Sequence, residues 1–246
     1  MDRKLNSQWT PPRLDIDSIK TGDMPGDKVA INESHIKKTN TIFPYILQEL
    51  SKLGEKRMVI SVYGGSGVGK SEIGSVLGHY LDLQNYPSYI LSGDNYPHRI
   101  PERNDTERLS VYRNAGLGAL ARNRDFRNEW TNTLHQEWPS MGDFEPETFP
   151  RQDASWIDEY YAAGRNALAN YLGTEKEIDF SFINHIIKEF KEGASSITLK
   201  RMGRTADDIH LEAVDFTGVR TLIIEWTHGN NPALCGVDFP IFLFST

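Results

Sequence analysis

Residues 58–71 read MVISVYGGSGVGKS and carry the strongest structural signal in the sequence. The first six residues are apolar except for Ser61 and rich in side chains that favour strands, so they predict a buried β-strand. Glycines 64 and 65 end that strand. Apolar residues then recur at helical spacing, at Ile73, Val76, Leu77, Tyr80 and Leu81. A strand, a glycine-rich turn and a helix are the context in which the pattern G-x-x-x-x-G-K-[ST] is meaningful.

The residue types in this loop suit a bound phosphate chain. Glycines let the backbone adopt positive φ and bring several N–H groups against phosphate oxygens, and the N-terminus of the following helix adds positive potential. We expect Lys70 to reach the β- and γ-phosphates and the Ser71 hydroxyl to hold Mg²⁺. The predicted nucleotide-binding residues are Gly64, Gly65, Ser66, Gly67, Val68, Gly69, Lys70 and Ser71. Because GTPases, motor ATPases and kinases share such a loop, it does not decide the activity.

The remaining strand signals predict an α/β protein. Apolar runs occur at 89–92, 196–199, 220–225 and 239–244, separated by helical patterns, which favours a mostly parallel sheet covered on both faces. We therefore predict the three-layer P-loop NTPase fold, with an irregular leader over 1–30, one P-loop domain over 31–246, and a helical insertion at about 100–195. A helix is predicted from about Thr41 to Leu53, with Pro44 tolerated only in its first turn, and Asp179 is predicted to cap another helix.

Two carboxylates follow predicted strands. Asp94 comes after the second strand, in L-S-G-D-N-Y-P-H-R (91–99), and Glu225 ends the strand L-I-I-E (222–225). Ligands of parallel sheets lie beyond the carboxyl ends of the strands, so both acids are expected to face the same crevice as Lys70. Asp94 could take a proton from an acceptor hydroxyl, and Glu225 could support Mg²⁺ or its bound water. The structural alternatives are a turn aspartate and an ordinary strand-end carboxylate.

The three segments, in this order, resemble the phosphoribulokinase/uridine kinase family of ATP-dependent small-molecule kinases. Residues 92–99, S-G-D-N-Y-P-H-R, look like a mixture of that family's L-S-x-D-x-F-Y and E-G-D-S-F-H-R sequences, and I-E-W-T-H-G (224–229) is similar to its V-E-G-x-H. The resemblance implies that Asp94 is the general base and Glu225 the metal-associated acid. It covers about 57–103 and 196–246 and leaves the middle of the chain unexplained.

Two departures and a second likeness accompany this resemblance. Trp226 stands where the family has glycine, and the Arg-rich lid that would follow the strand near Phe244 is not in the sequence, so we expect a C-terminal lid to be absent. Gly93-Asp94-Asn95, followed by His98 and Arg99, also looks like the D-G-D-N-x-R-H motif of adenylylsulfate kinase. Both likenesses imply phosphoryl transfer to a hydroxyl and differ in the acceptor.

Several residues are candidates for binding the acceptor. Arginine forks suit phosphate or carboxylate groups, and the family resemblance places substrate-binding residues at 201–204. The predicted acceptor-binding residues are Tyr96, His98, Arg99, Arg103, Arg201, Arg204 and His228. Each has a plain alternative as a solvated charge, a core aromatic or a loop histidine with a local partner.

Composition narrows the function further. The chain has 246 residues and a net charge of −7, without a long basic run, which disfavours binding to nucleic acid. Cys235 is the only cysteine, which excludes disulfide frameworks and multi-cysteine zinc sites and makes the cytoplasm the expected compartment. No run of 18 apolar residues occurs, so we expect no membrane partner. A homodimer is left open.

The expected activity is transfer of the γ-phosphoryl group of ATP, with Mg²⁺, to a hydroxyl of a sugar, sugar phosphate or nucleoside. The alternatives are an adenylylsulfate kinase-like activity and a nucleotide-binding switch without catalysis. Asp215-Phe-Thr-Gly218 fits the short D-x-x-G pattern of GTPases, but the sequence has no N-K-x-D segment to read guanine. The sequence does not choose between ATP and GTP, and it does not identify the acceptor.

Overall fold

The computed structural model describes residues 9–26, 28–137, 155–203, 205 and 208–244. The chain divides into two compact units, the first formed by Met1–Tyr96 with Asp179–Thr246 and the second by Pro97–Ile178. The strands are β1 (Met58–Gly64), β2 (Ser88–Ser92), β3 (Ser196–Arg201), β4 (His210–Asp215), β5 (Thr221–Trp226) and β6 (Phe239–Leu243). The helices are α1 (Glu33–Leu53), α2 (Lys70–Leu83), α3 (Pro101–Arg122), α4 (Asn128–Glu137), α5 (Ser155–Ala169) and α6 (Phe180–Lys191).

A parallel sheet forms the centre of the first unit. Within the described residues its order is β2-β5-β1-β6, and every neighbouring pair is parallel. All six residues of β5 are buried, as expected for a strand that is covered on both faces. The prediction of an α/β protein with a mostly parallel central sheet is confirmed.

The predicted strand at 196–199 does not belong to that sheet. It forms β3, which pairs antiparallel with β4 in a separate two-stranded sheet. Along β3, exposed and buried residues alternate over its first four positions. This alternation is typical of an antiparallel strand with one covered face, and it distinguishes β3 from the continuously buried β1 and β5. Placing this segment in the parallel sheet was therefore wrong.

Helix α1 is longer than its predicted range of about 41–53. It begins at Glu33, after Asn32, whose side-chain oxygen accepts hydrogen bonds from the N–H groups of Ser34 (2.9 Å) and His35 (3.2 Å). Pro44 therefore lies in the helix interior, and the prediction that it occupies the first turn was wrong. Phe43 and Ile46 are fully buried beside it. The packing of Phe43 and Ile46 stabilises the helix at this point, although Pro44 has no N–H group to donate a helical hydrogen bond.

The described part of the leader packs onto the first unit. The ring centroid of Trp9 lies 4.4 Å from that of Phe43 and 5.3 Å from that of Tyr80, and Ile19 belongs to the same apolar core. The backbone is irregular apart from a short 3₁₀ turn, Ile16–Ser18. Side-chain burial therefore anchors these residues without regular secondary structure.

The second unit contains α3, α4 and α5. The rings of Trp130 and Trp156 stack with centroids 5.1 Å apart and planes 6° apart. Glu177 is fully buried, and its carboxylate accepts hydrogen bonds from Asn104 Nδ2 (3.1 Å), Arg108 Nε (2.7 Å) and the Gly173 N–H (2.6 Å). A buried carboxylate with this many partners holds separate segments together.

The sequence predicts a helical insertion at about 100–195. The compact second unit spans Pro97–Ile178, and α6 belongs to the first unit. Asp179 accepts a hydrogen bond from the Phe182 N–H (3.0 Å) and caps α6 as predicted. Across the described residues, no helix has the length and apolar character needed to cross a membrane.

Candidate functional site

The carboxyl ends of three neighbouring strands bring the predicted loop and acids to one edge of the central sheet. In the strand register, Glu225 is the partner of both Val62 on β1 and Ser92 on β2. The glycine-rich loop starts two residues after Val62, and Asp94 lies two residues after Ser92. Because the strands are parallel, all three features lie at the same edge, where ligands of α/β proteins bind.

Three glycines of the glycine-rich loop have positive φ angles. Gly64, Gly67 and Gly69 have φ angles of 154°, 73° and 91°, and α2 begins immediately afterwards at Lys70. Gly69 is also closely packed, since a Cβ there would lie 2.7 Å from Nε2 of His35 on α1. The Lys70 ammonium donates a hydrogen bond to the carbonyl oxygen of Gly65 (2.8 Å), which places its charge over the loop.

Ser71 and Glu225 form a direct contact between the loop and β5. The Ser71 hydroxyl donates a hydrogen bond to Glu225 Oε2 (3.0 Å), and Glu225 is only 5% exposed. The leader runs alongside, because a Cβ on Gly22 would lie 3.8 Å from Glu225 Oε1. A hydroxyl and a carboxylate are the hard oxygen donors that suit Mg²⁺. Together with the positive-φ glycines and the start of α2, they fit a magnesium–triphosphate ligand.

Asp94 lies in a 3₁₀ turn, Gly93–Asn95, directly after β2. Its side chain is exposed, whereas Gly93 and Asn95 on either side are buried. The turn packs against β5, because a Cβ on Gly93 would lie 2.0 Å from Cγ of Trp226. Trp226, which replaces the glycine expected from the family resemblance, fills the space behind the turn and is 1% exposed.

Among the described residues, the first unit holds three of the predicted acceptor-binding residues, namely Tyr96, Arg201 and His228. Tyr96 is fully buried, with its ring centroid 5.6 Å from that of Phe182, and burial raises the pKa of its phenol. His228 is half-buried, and its ring meets Trp226 edge-on at 5.3 Å. The roles of both in acceptor binding stay predictions. Arg204 lies outside the described residues.

Arg201 is engaged by protein groups. It is 8% exposed, and its guanidinium donates to Asp23, to Glu212 Oε2 (2.8 Å) and to the Tyr89 hydroxyl (2.9 Å). Burial alone would lower the pKa of Arg201, but the Asp23 carboxylate and the Tyr89 hydroxyl outweigh it, so the pKa is raised and the side chain stays charged. These contacts give Arg201 a structural role, and acceptor binding by it stays a prediction.

The other predicted acceptor-binding residues belong to the second unit. His98 Nε2 is hydrogen-bonded to the carbonyl oxygen of Glu175 (2.9 Å). Arg99 donates to the Tyr171 hydroxyl (3.1 Å) and lies 3.8 Å from a carboxylate oxygen of Glu107. Arg103 is exposed on the first turn of α3. Their roles in acceptor binding stay predictions.

Sequence reasoning missed three residues at this edge of the sheet. Asp23 is a buried carboxylate from the leader, Asn95 is fully buried beside Asp94, and His35 lies against the loop. Asp23 precedes Met24-Pro25, and aspartate in such a context is typical of a turn. Asp23 and His35 occupy no periodic or motif position, so the sequence contains no signal that would have found them. Asn95 belongs to the G-D-N segment that resembles the adenylylsulfate kinase motif, but that likeness gave it no role of its own.

Comparisons with known proteins give one informative similarity. No protein-family model matches the chain. The chain is 36% identical over 213 residues, 87% of its length, to a protein named bifunctional alpha-galactosidase/sucrose kinase AgaSK from Mediterraneibacter gnavus. The chain spans 18% of the length of that relative.

Proposed function

We propose that this chain is an ATP-dependent kinase of the P-loop class that transfers the γ-phosphoryl group to a hydroxyl of a small sugar. The observation that carries the proposal is the Ser71–Glu225 contact (3.0 Å), which joins the G-x-x-x-x-G-K-S loop to an acid at the end of the neighbouring strand β5. Phosphoryl transfer depends on positioning and on charge neutralisation around the triphosphate. This loop and acid are suited to both tasks.

The similarity to the Mediterraneibacter gnavus protein supports a small-molecule kinase. The name of that relative combines a glycosidase with a sucrose kinase. The loop and the acid at the end of β5 favour the kinase activity for this chain, because a glycosidase needs two facing carboxylates and no phosphate-binding loop. Sucrose is therefore the first acceptor to test, followed by other sugars, sugar phosphates and nucleosides.

The proposed reaction is an in-line displacement. The acceptor hydroxyl oxygen attacks the γ-phosphorus, the bond from that phosphorus to the bridging oxygen of ADP breaks, and Asp94 takes the hydroxyl proton. Lys70 and the N–H groups of the loop stabilise the negative charge on the phosphate oxygens. Ser71 and Glu225 would hold Mg²⁺, which when bound neutralises charge on the β- and γ-phosphates. The products are ADP and a phosphomonoester.

An acceptor screen tests this proposal. Purified protein is incubated with Mg²⁺ and either ATP or GTP, and ADP or GDP release is measured for each acceptor, with α-galactosidase activity assayed in parallel. We expect ATP-dependent release that requires a sugar acceptor, strong loss of turnover in Asp94→Asn, and no glycoside hydrolysis. Full turnover of Asp94→Asn with the true acceptor would remove the base assignment, and nucleotide binding without any phosphorylated product would remove the kinase.

No feature of the described residues favours the switch alternative. Asp215 ends β4, which pairs with β3 outside the central sheet. Its carboxylate accepts a hydrogen bond from the Thr217 N–H (2.8 Å), and the hydrogen bonds from Thr217 lower the pKa of Asp215. The D-x-x-G pattern is thus accounted for by a local turn.

A further inference from the structure

The turn that carries Asp94 is held by side chains from distant parts of the chain. Asn95 is fully buried. Its Nδ2 donates to Asp23 Oδ1 (3.2 Å), and its Oδ1 accepts a hydrogen bond from the Met202 N–H (2.9 Å). The residue that follows Asp94 is therefore fixed on one side by the leader and on the other by the segment after β3.

Asp23 is itself firmly anchored. Its Oδ1 also accepts from the Ser92 N–H (2.7 Å), and its Oδ2 accepts from the Tyr89 hydroxyl (3.0 Å) and from Arg201. The Asp23 side chain is 8% exposed. Burial raises its pKa, while the hydrogen bond from Ser92 and the charge of Arg201 oppose that increase. A buried carboxylate that accepts hydrogen bonds from four donors is a rigid support for the Asn95 side chain, which is one of those donors.

We propose that Asp23 and Asn95 are positioning residues for the catalytic base Asp94, an inference that rests on the proposed kinase function. Trp226 packs against Gly93, the residue before Asp94, and Asp23 holds Asn95, the residue after it. Asp94 is the exposed residue between these two supports. Proton transfer during an in-line displacement requires the base within hydrogen-bond reach of the acceptor. A displacement of about 1 Å at such a group can cost about 100-fold in rate.

Two variants remove the support in different ways. Asp23→Asn removes the charge that binds Arg201, and Asn95→Ser shortens the side chain so that it no longer spans Asp23 and Met202, while the Asp23–Arg201 ion pair is left in place. Asp82→Asn is the matched control. The Asp82 carboxylate accepts from the N–H and the hydroxyl of Ser88 (2.8 and 3.0 Å), at the opposite end of the same strand, β2.

The experiment measures kcat and KM for MgATP at saturating sucrose, or at saturating concentration of the sugar that the acceptor screen identifies. The Kd of MgATP and the thermal midpoint are measured for each protein. We expect Asp23→Asn and Asn95→Ser to lose about 10- to 100-fold in kcat with KM and Kd for MgATP within about twofold of wild type. The control is expected to keep kcat within about twofold of wild type, whatever its thermal midpoint.

Each result decides the proposal. Wild-type kcat in Asn95→Ser, or an equal loss of kcat in the Asp82→Asn control, would overturn the positioning role even if Asp23→Asn fails to fold. A wild-type protein that binds MgATP but phosphorylates no acceptor would refute the proposed function, and the positioning role with it. A wild-type protein that turns over, with unchanged kcat in the variants, would refute the positioning role alone.

Discussion

Replacing Glu225 with glutamine changes charge at the candidate metal site while keeping the size of the side chain. Glu225 accepts the Ser71 hydrogen bond at 3.0 Å and is 5% exposed, so little solvent screens it. The amide can still fill the space, but it offers only one acceptor oxygen and no negative charge. We expect Glu225→Gln still to bind nucleotide, but to bind Mg²⁺ more weakly and to lose catalytic efficiency.

The expected size of this loss follows from two independent arguments. Hydrogen bonds to a charged group contribute about 1.5–3 kcal/mol. Residues that orient or support a metal ion typically contribute about 10- to 100-fold in affinity or activity, which converts to about 1.4–2.8 kcal/mol. The two ranges agree, so we expect kcat/KM for MgATP to fall by about 10- to 100-fold in Glu225→Gln.

The assay varies Mg²⁺ at fixed ATP and saturating acceptor and follows ADP release. Glu72→Gln is the control, because it makes the same charge change in the first turn of α2, where Glu72 lies 3.4 Å from the N–H of Ala30. We expect a higher Mg²⁺ requirement only in Glu225→Gln. If that variant keeps the wild-type Mg²⁺ dependence, or if the control loses as much, Glu225 does not support the metal.

Three further perturbations test the loop, the leader and the second unit. Gly69→Ala is expected to weaken MgATP binding about tenfold in calorimetric titration, since the φ of 91° at this position strains a non-glycine residue and the added Cβ meets His35. Adding His35→Ala to this variant should restore only part of the lost MgATP affinity. Full recovery of the affinity would show that the backbone strain is unimportant. Burial raises the pKa of Asp23 above its ordinary value of 3.8, so as the pH rises this carboxyl ionises in the unfolded chain before it ionises in the folded protein. The free energy of unfolding of wild type relative to Asp23→Asn should therefore fall as the pH rises above about 4. A rise over the same range would show that the ion pair with Arg201 outweighs burial. Glu177→Gln is expected to lower the free energy of unfolding by about 1.5–3 kcal/mol in chemical denaturation, whereas unchanged stability would remove its bridging role.

The sequence predicted those parts of the fold that depend on local patterns. The strand, loop and helix over 58–83 follow from apolar periodicity and glycine placement. The pairing of β3 did not follow, because its partner β4 was not recognised and a strand's sheet is chosen by long-range contacts. Pro44 was misplaced for a related reason, since tertiary packing of Phe43 and Ile46 overrides the local cost of proline.

In the candidate site, too, some residues could be predicted from local sequence patterns and others depend on long-range contacts. Lys70 and Asp94 follow strands and Glu225 lies at the end of one, so parallel topology is enough to place them at one edge of the sheet. The contacts of Asp23 with Ser92 and Arg201 join residues 69 and 178 positions apart. Nothing in the irregular leader marks Asp23 as buried, and such a contact becomes visible only when the chain is folded.

The fate of the γ-phosphoryl group is the most direct measurement of the proposed activity. ATP labelled in that group is incubated with the protein, Mg²⁺ and sucrose or another accepted sugar, and the products are identified by phosphorus NMR and chromatography, with Lys70→Ala as the comparison. We predict that the label appears in a sugar phosphomonoester with wild type and remains in ATP with Lys70→Ala. Label found only in inorganic phosphate, or an equal yield of phosphomonoester from Lys70→Ala, would contradict the kinase assignment.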